Sequence, residues 1–109
     1  YNIPFQDDHF DVAILTQVIE HLEEPQRALN EINRVTKIGG HLIVAWPFLY
    51  PIHEAPRDFY RYTSYGMRAM AELAGFEVQK LVPVSGFWVT IFGLTSLYIF
   101  SLMQTIGLL

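Results

Sequence analysis

Cysteine is missing from all 109 residues, which excludes disulfides and thiolate metal sites and fits a reducing compartment such as the cytoplasm. Basic residues are scarce, 7 Lys and Arg against 11 Asp and Glu, for a net charge of −4 and a pI near 5.4. Nucleic acid asks for a basic face, so it is excluded as a partner. Internal repeats and low-complexity tracts are lacking, and charge of either sign stops at Lys80. An initiating Met and a signal pattern are absent too. The chain opens on Tyr1 directly before a strand-like run, as expected of a piece of a longer protein.

What is present has the rhythm of alternating strands and helices. "HFDVAILT", His9 to Thr16, is a short run rich in Val and Ile, of the kind expected for a strand buried on both faces. "EEPQRALNEINRVTKIGG" reads as a helix with Pro25 in its first turn and Glu23 and Glu24 at its positive end. Ala28, Leu29, Ile32 and Val35 share one face, and Gly39 and Gly40 are expected to stop the helix in the left-handed region. "HLIVAW", His41 to Trp46, follows as a second strand ended by Pro47. A strand, a helix and a strand in succession imply a parallel crossover. "TSYGMRAMAELAG" reads as another helix, capped by Thr63 or Ser64, striped by Met67, Met70, Ala71 and Ala74, and closed by Gly75. "FEVQKLVPV" alternates Phe76, Val78, Lys80 and Val82 and is expected to form a third strand. The order β-α-β-α-β makes this an α/β layer protein.

The run "IPFQDDHFDVAILTQVIEHLEEPQRALNEINRVTKIGGHLIVAWPF" carries four motifs in order: Ile3-Pro4-Phe5, Phe10-Asp11-Val12, Glu20-His21-Leu22 and Arg34 to Gly40. In these it resembles the second half of class I S-adenosylmethionine-dependent methyltransferases of the type 11 group. Thr36 and Ile38 depart from the commonest pattern while leaving the paired glycines intact. The resemblance covers about Ile3 to Val82 and implies strands four to six of a seven-stranded, Rossmann-like doubly wound sheet. It divides the chain into residues 1–85, the carboxyl-terminal half of a methyltransferase domain, and an apolar helical tail, 86–109. The Gly-rich loop that cradles the cofactor in that family is not among these residues, so this chain is expected to supply one wall of the cofactor site and to bind weakly alone.

Ligands of open α/β sheets lie beyond the carboxyl ends of the strands. The resemblance therefore puts Thr16, Gln17 and Val18 along S-adenosylmethionine. Glu20 and His21 come next: a carboxylate beside an imidazole suits a general base, with His21 the catalytic candidate. The scaffold alternative has Glu20 capping amides and His21 packing under the following helix.

"PIHEAPRDFYRYT", Pro51 to Thr63, fits neither a helix nor a strand period. It is similar to a loop of methyltransferases associated with sugar and cell-envelope pathways, with Pro51, His53, Pro56, Asp58, Arg61, Tyr62 and Thr63 in the matching places. His53 has the titration range of a proton acceptor. Arg57 and Arg61 could grip an anionic acceptor, and Tyr62 could stack on a ring. A purely structural Asp58–Arg61 pair is the competing account. The four histidines match no recognised metal-ligand spacing, and no helix carries two of them one turn apart, so no metal is expected.

The tail "GFWVTIFGLTSLYIFSLMQTIGLL" holds 24 residues without a charge. As a helix it would reach about 36 Å, enough for a bilayer core. Membrane contact and burial within a larger enzyme are both open readings. The function expected is methyl transfer from S-adenosylmethionine to a small-molecule, sugar or lipid-linked acceptor. The alternative is a membrane-tethered interaction module that keeps the half-fold without catalysis.

Overall fold

The computed structural model describes residues 1–108; Leu109, the last residue of the tail, lies outside them. Strand β1 (Phe10–Thr16) leads through a single 3-10 turn (Ile19–His21) into helix α1 (Pro25–Val35) and then strand β2 (Thr36–Ala45). A long loop precedes helix α2 (Ser64–Leu73), and helix α3 (Phe87–Thr105) ends the order.

β1 and β2 pair in parallel, with Ala13 opposite Leu42 and Leu15 opposite Val44. Both strand tips therefore point the same way, as the crossover reading requires. α1 begins at Pro25, whose missing amide proton would have no helical partner at that position. Its apolar stripe of Ala28, Leu29, Ile32 and Val35 is buried as expected. α2 starts at Thr63, whose side chain accepts from the Gly66 amide, and closes at Gly75 with φ +97°. Ile19, Leu29, Tyr62, Met67 and Ala74 form the core, with Leu15 and Leu42 packed against it from the sheet. Leu29 has 0% exposure, a burial worth about 1.5–3 kcal/mol.

Three expectations are corrected. Gly39 and Gly40 do not stop α1; the helix ends at Val35, capped by Thr36, and both glycines lie inside β2. The register slips between Phe10 opposite Thr36 and Val12 opposite His41, so residues 37–40 bulge out of the ladder. Gly39 takes φ +79° in this excursion. At Gly40, a Cβ would stand 2.9 Å from the carbonyl oxygens of Asp11 and Lys37.

The third strand, expected over Phe76 to Val84, does not form: the sheet has two strands, and residues 76–83 carry no regular secondary structure. A strand is held by its ladder, and among the described residues no neighbour offers one to Phe76–Val82. Nor is β1 buried on both faces. Val12 and Ile14, with Ile43 of β2, stay exposed on the face away from the core.

Candidate functional site

Past Thr16 the chain turns sharply. Gln17 adopts φ +52°, and its amide donates to the Ala45 carbonyl at 2.9 Å. That bond ties the tip of β1 to the tip of β2 and leaves the side chains of Thr16, Gln17 and Val18 exposed beside the crevice. Val18, with Leu15, Leu22 and residues 1–3, borders a cavity of 370 Å³. The predicted cofactor residues thus stand together at the carboxyl end of the sheet.

The 3-10 turn that follows is the anchor of the long loop. The Glu20 carbonyl accepts from the amides of Phe59 at 2.9 Å and Tyr60 at 3.3 Å, and the Tyr62 hydroxyl donates to the Ile19 carbonyl at 3.2 Å. The Tyr60 hydroxyl reaches the Glu23 carbonyl, and Trp46 donates to the carbonyl of Tyr62 at 2.8 Å. Residues 51–63 are therefore strapped across the strand tips, where the sequence placed them.

Within the strap, Asp58 and Arg61 form a two-bonded pair at 2.5 and 2.7 Å. The Arg61 guanidinium also donates to the carbonyls of Tyr50, Pro51 and Tyr60. The Asp58 side chain is 1% exposed. The Arg61 hydrogen bonds hold its carboxyl well below the usual range, assisted by the His53 amide. Arg61 is thus occupied in fixing the loop, which favours the structural account of the pair. Tyr62 is a core residue, 7% exposed, and burial pushes its phenol far above the ordinary value. Its ring has no open face for stacking on an acceptor. Arg57 differs: it is exposed, and among the described residues its guanidinium enters no ion pair.

His21 and His53, from segments distant in sequence, meet edge to face with ring centroids 4.8 Å apart. His21 Nδ1 lies 2.5 Å from the Arg57 carbonyl, and its Nε2 lies 3.7 Å from Glu20. His53 Nδ1 lies 3.2 Å from the Pro51 carbonyl and 3.3 Å from Asp58. Glu20 does not cap amides with its side chain: both carboxylate oxygens are buried without a hydrogen-bond partner. His21 packs under the strap and not under α1. The sequence nominated Glu20, His21 and His53 separately; that both loops hang from adjacent parallel strand tips was the signal that could have joined them. Glu54, 4.0 Å from His21, went unnoticed for lack of any such signal.

The family described as "Methyltransferase domain" matches residues 1–44. The chain is 40% identical over 73 residues to a demethylmenaquinone methyltransferase of Paenarthrobacter aurescens, covering 67% of this chain and 28% of that protein. With the ubiquinone/menaquinone biosynthesis C-methyltransferase UbiE of Shewanella oneidensis it shares 38% over 58 residues, 53% of this chain and 23% of the relative. Among solved structures, the cyclase SpnF superposes with a TM-score of 0.62 at 30% identity, over 72% of this chain and 30% of that one. A methyltransferase from Thermotoga maritima, described as a possible histamine N-methyltransferase, gives 0.58 at 26%, over 71% and 42%. The α/β frame resembles the Rossmann-like fold of S-adenosylmethionine-dependent methyltransferases. The chain spans less than a third of the length of the two curated relatives named here.

Proposed function

We propose that this chain is the acceptor-side half of an enzyme that moves a methyl group from S-adenosylmethionine to a small-molecule or lipid-linked acceptor. One observation supports the reading: the tips of two parallel strands are joined through Gln17, and the turn after β1 and the polar loop after β2 are hydrogen-bonded to each other beside those tips. The turn fits the methionyl end of the cofactor. Its Gln17 amide offers both donor and acceptor to an amino acid group, and Leu15 and Val18 give the apolar wall. The bound cofactor supplies a sulfonium already activated for methyl loss, so the protein's share of the work is alignment. Arg57, His53 and the Tyr60 ring face the acceptor side, with Arg57 free to hold an anionic or oxygen-rich group.

The quinone methyltransferases among its relatives make a hydrophobic ring compound an attractive acceptor class. Helix α3 supports the lipid-linked version. It is long and apolar enough to cross a membrane, with mean hydropathy 1.4 and none of that stretch buried. The same exposure is what a non-catalytic, membrane-tethered module would show, and cofactor binding separates the two.

Calorimetry with S-adenosylhomocysteine should show micromolar binding by a protein that joins this chain to a family-type Gly-rich half. This chain alone should bind at least 10-fold more weakly. Equal affinity would remove the idea that the chain supplies one wall. No binding by the joined protein would favour the tether.

A further inference from the structure

We propose that Glu20, His21 and His53 bind a divalent first-row transition cation at the mouth of the crevice. The nitrogen and oxygen donors of these three residues lie within 4.8 Å of one another. Two donors about 2.1 Å from one ion in tetrahedral geometry would stand roughly 3.4 Å apart. The His21–Glu20 separation of 3.7 Å is already close to that, and a small shift of the His53 loop closes the rest.

The hydrogen bonding around each donor points the same way. His21 Nδ1, against a carbonyl oxygen at 2.5 Å, must carry its proton, which leaves Nε2 as a lone pair facing Glu20. His53 Nδ1 faces two acceptors, the Pro51 carbonyl and the Asp58 carboxylate, so it too is the protonated nitrogen and Nε2 is free. An imidazole steered by a carbonyl or carboxylate on one nitrogen is the arrangement that orients metal-ligating histidines. The Arg61 guanidinium also reaches this Nδ1, at 3.4 Å, but that is the longest of its three contacts and the same guanidinium is held by Asp58 and three carbonyls, so the two oxygen acceptors decide the tautomer.

Glu20 is the independent observation. It has 0% exposure, both carboxylate oxygens lack a partner among the described residues, and Oε1 stands 3.7 Å from His21 Nε2. A buried carboxylate demands a compensating charge. Arg61 is near enough to feel its charge but, among the described residues, makes no hydrogen bond to it. Two imidazoles and one carboxylate form a nitrogen-rich set that suits ions from manganese to zinc better than magnesium or calcium, and they leave coordination positions open toward the crevice. This inference is independent of methyl transfer, because metal uptake is read without donor or acceptor.

Untagged, chelator-treated protein titrated with Zn²⁺ in a calorimeter should take up one ion with a dissociation constant in the micromolar range or below. Mg²⁺ at the same concentration should not displace it. His53→Gln, on the loop and outside the packed core, should weaken Zn²⁺ binding at least 10-fold, and Glu20→Gln should weaken it further. His41→Gln, at an exposed position midway along β2, should leave it unchanged. Thermal unfolding gives a second reading: Zn²⁺ at about 100 times its dissociation constant should raise Tm by roughly 10 °C in the native protein and by much less in His53→Gln. Absence of stoichiometric Zn²⁺ uptake by the folded protein would overturn the proposal. So would uptake that neither variant weakens, or a Tm rise equal in native protein and His53→Gln.

Discussion

The Arg34 guanidinium gathers groups that are far apart in sequence: Glu31 on its own helix, Asp7, and the carbonyls of Ile3 and Phe5. With the Ile3 amide donating to Glu31 at 2.9 Å, this clasp lays the amino-terminal segment along α1. The Arg34 hydrogen bonds pull the Glu31 carboxyl from the ordinary 4.5 down to about 2, helped by that amide. A carboxyl depressed in the folded state adds its full stability above the unfolded value and loses it as pH falls through the folded one. Between pH 4.5 and 2, therefore, the thermal midpoint of the native protein should fall more steeply than that of Glu31→Gln, and the two should converge near pH 2. Parallel circular-dichroism melting curves across that window would show that the clasp adds nothing to the folded state. Sequence could suggest only that Arg34 suits a helix end, since its partners at Ile3, Phe5 and Asp7 come from tertiary placement. The same limit applied to Tyr62, whose ring looked available until packing put it in the core.

At the scale of elements, β2 shows how one local signal can serve two structures. Paired glycines after a helical stripe permit a left-handed stop, but they permit a strand bulge equally well. Here the β-branched Thr36 already ends α1, and the glycines are used where Lys37 reaches across to Asp11 at 2.8 Å. Because a Cβ at residue 40 would meet backbone oxygens of both strands, Gly40→Ala should cost roughly 1–3 kcal/mol. A guanidinium chloride midpoint within error of the native value would mean the bulge relaxes freely. The helices were legible because stripe, cap and terminator are all written within one short window, as at Thr63 and Gly75. The third strand was not, because alternation at Phe76 and Val78 describes a face to be covered and says nothing of whether a neighbour is there to pair.

For the whole molecule, the exposure of α3 supports a division near residue 85. None of its residues is buried, whereas the buried core cluster runs from Ile19 to Ala74 with Leu15 and Phe76 packed against it. We propose that residues 1–85 fold without the tail and that the tail is the membrane contact. Ending the chain after Ser85 should leave the thermal midpoint within about 2 °C, since little apolar burial is lost. The same truncation should abolish co-sedimentation with phosphatidylcholine vesicles. A large loss of stability, or undiminished sedimentation, would assign α3 to the core or the membrane contact to another surface. Parallel pairing was readable from sequence, because a short crossover joining two apolar strands leaves little other choice. The meeting of His21 with His53 was readable only as far as adjacent strand tips bring their two loops near; the contact itself depends on where the thirteen-residue loop settles.

The amides of Phe59 and Tyr60 end on the Glu20 carbonyl, and the same short turn follows directly from Gln17. The proposed donor side and acceptor side are consequently joined by main-chain bonds. Part of the ordering entropy between them is lost when the chain folds, so on that reading an arriving acceptor meets two sides already linked.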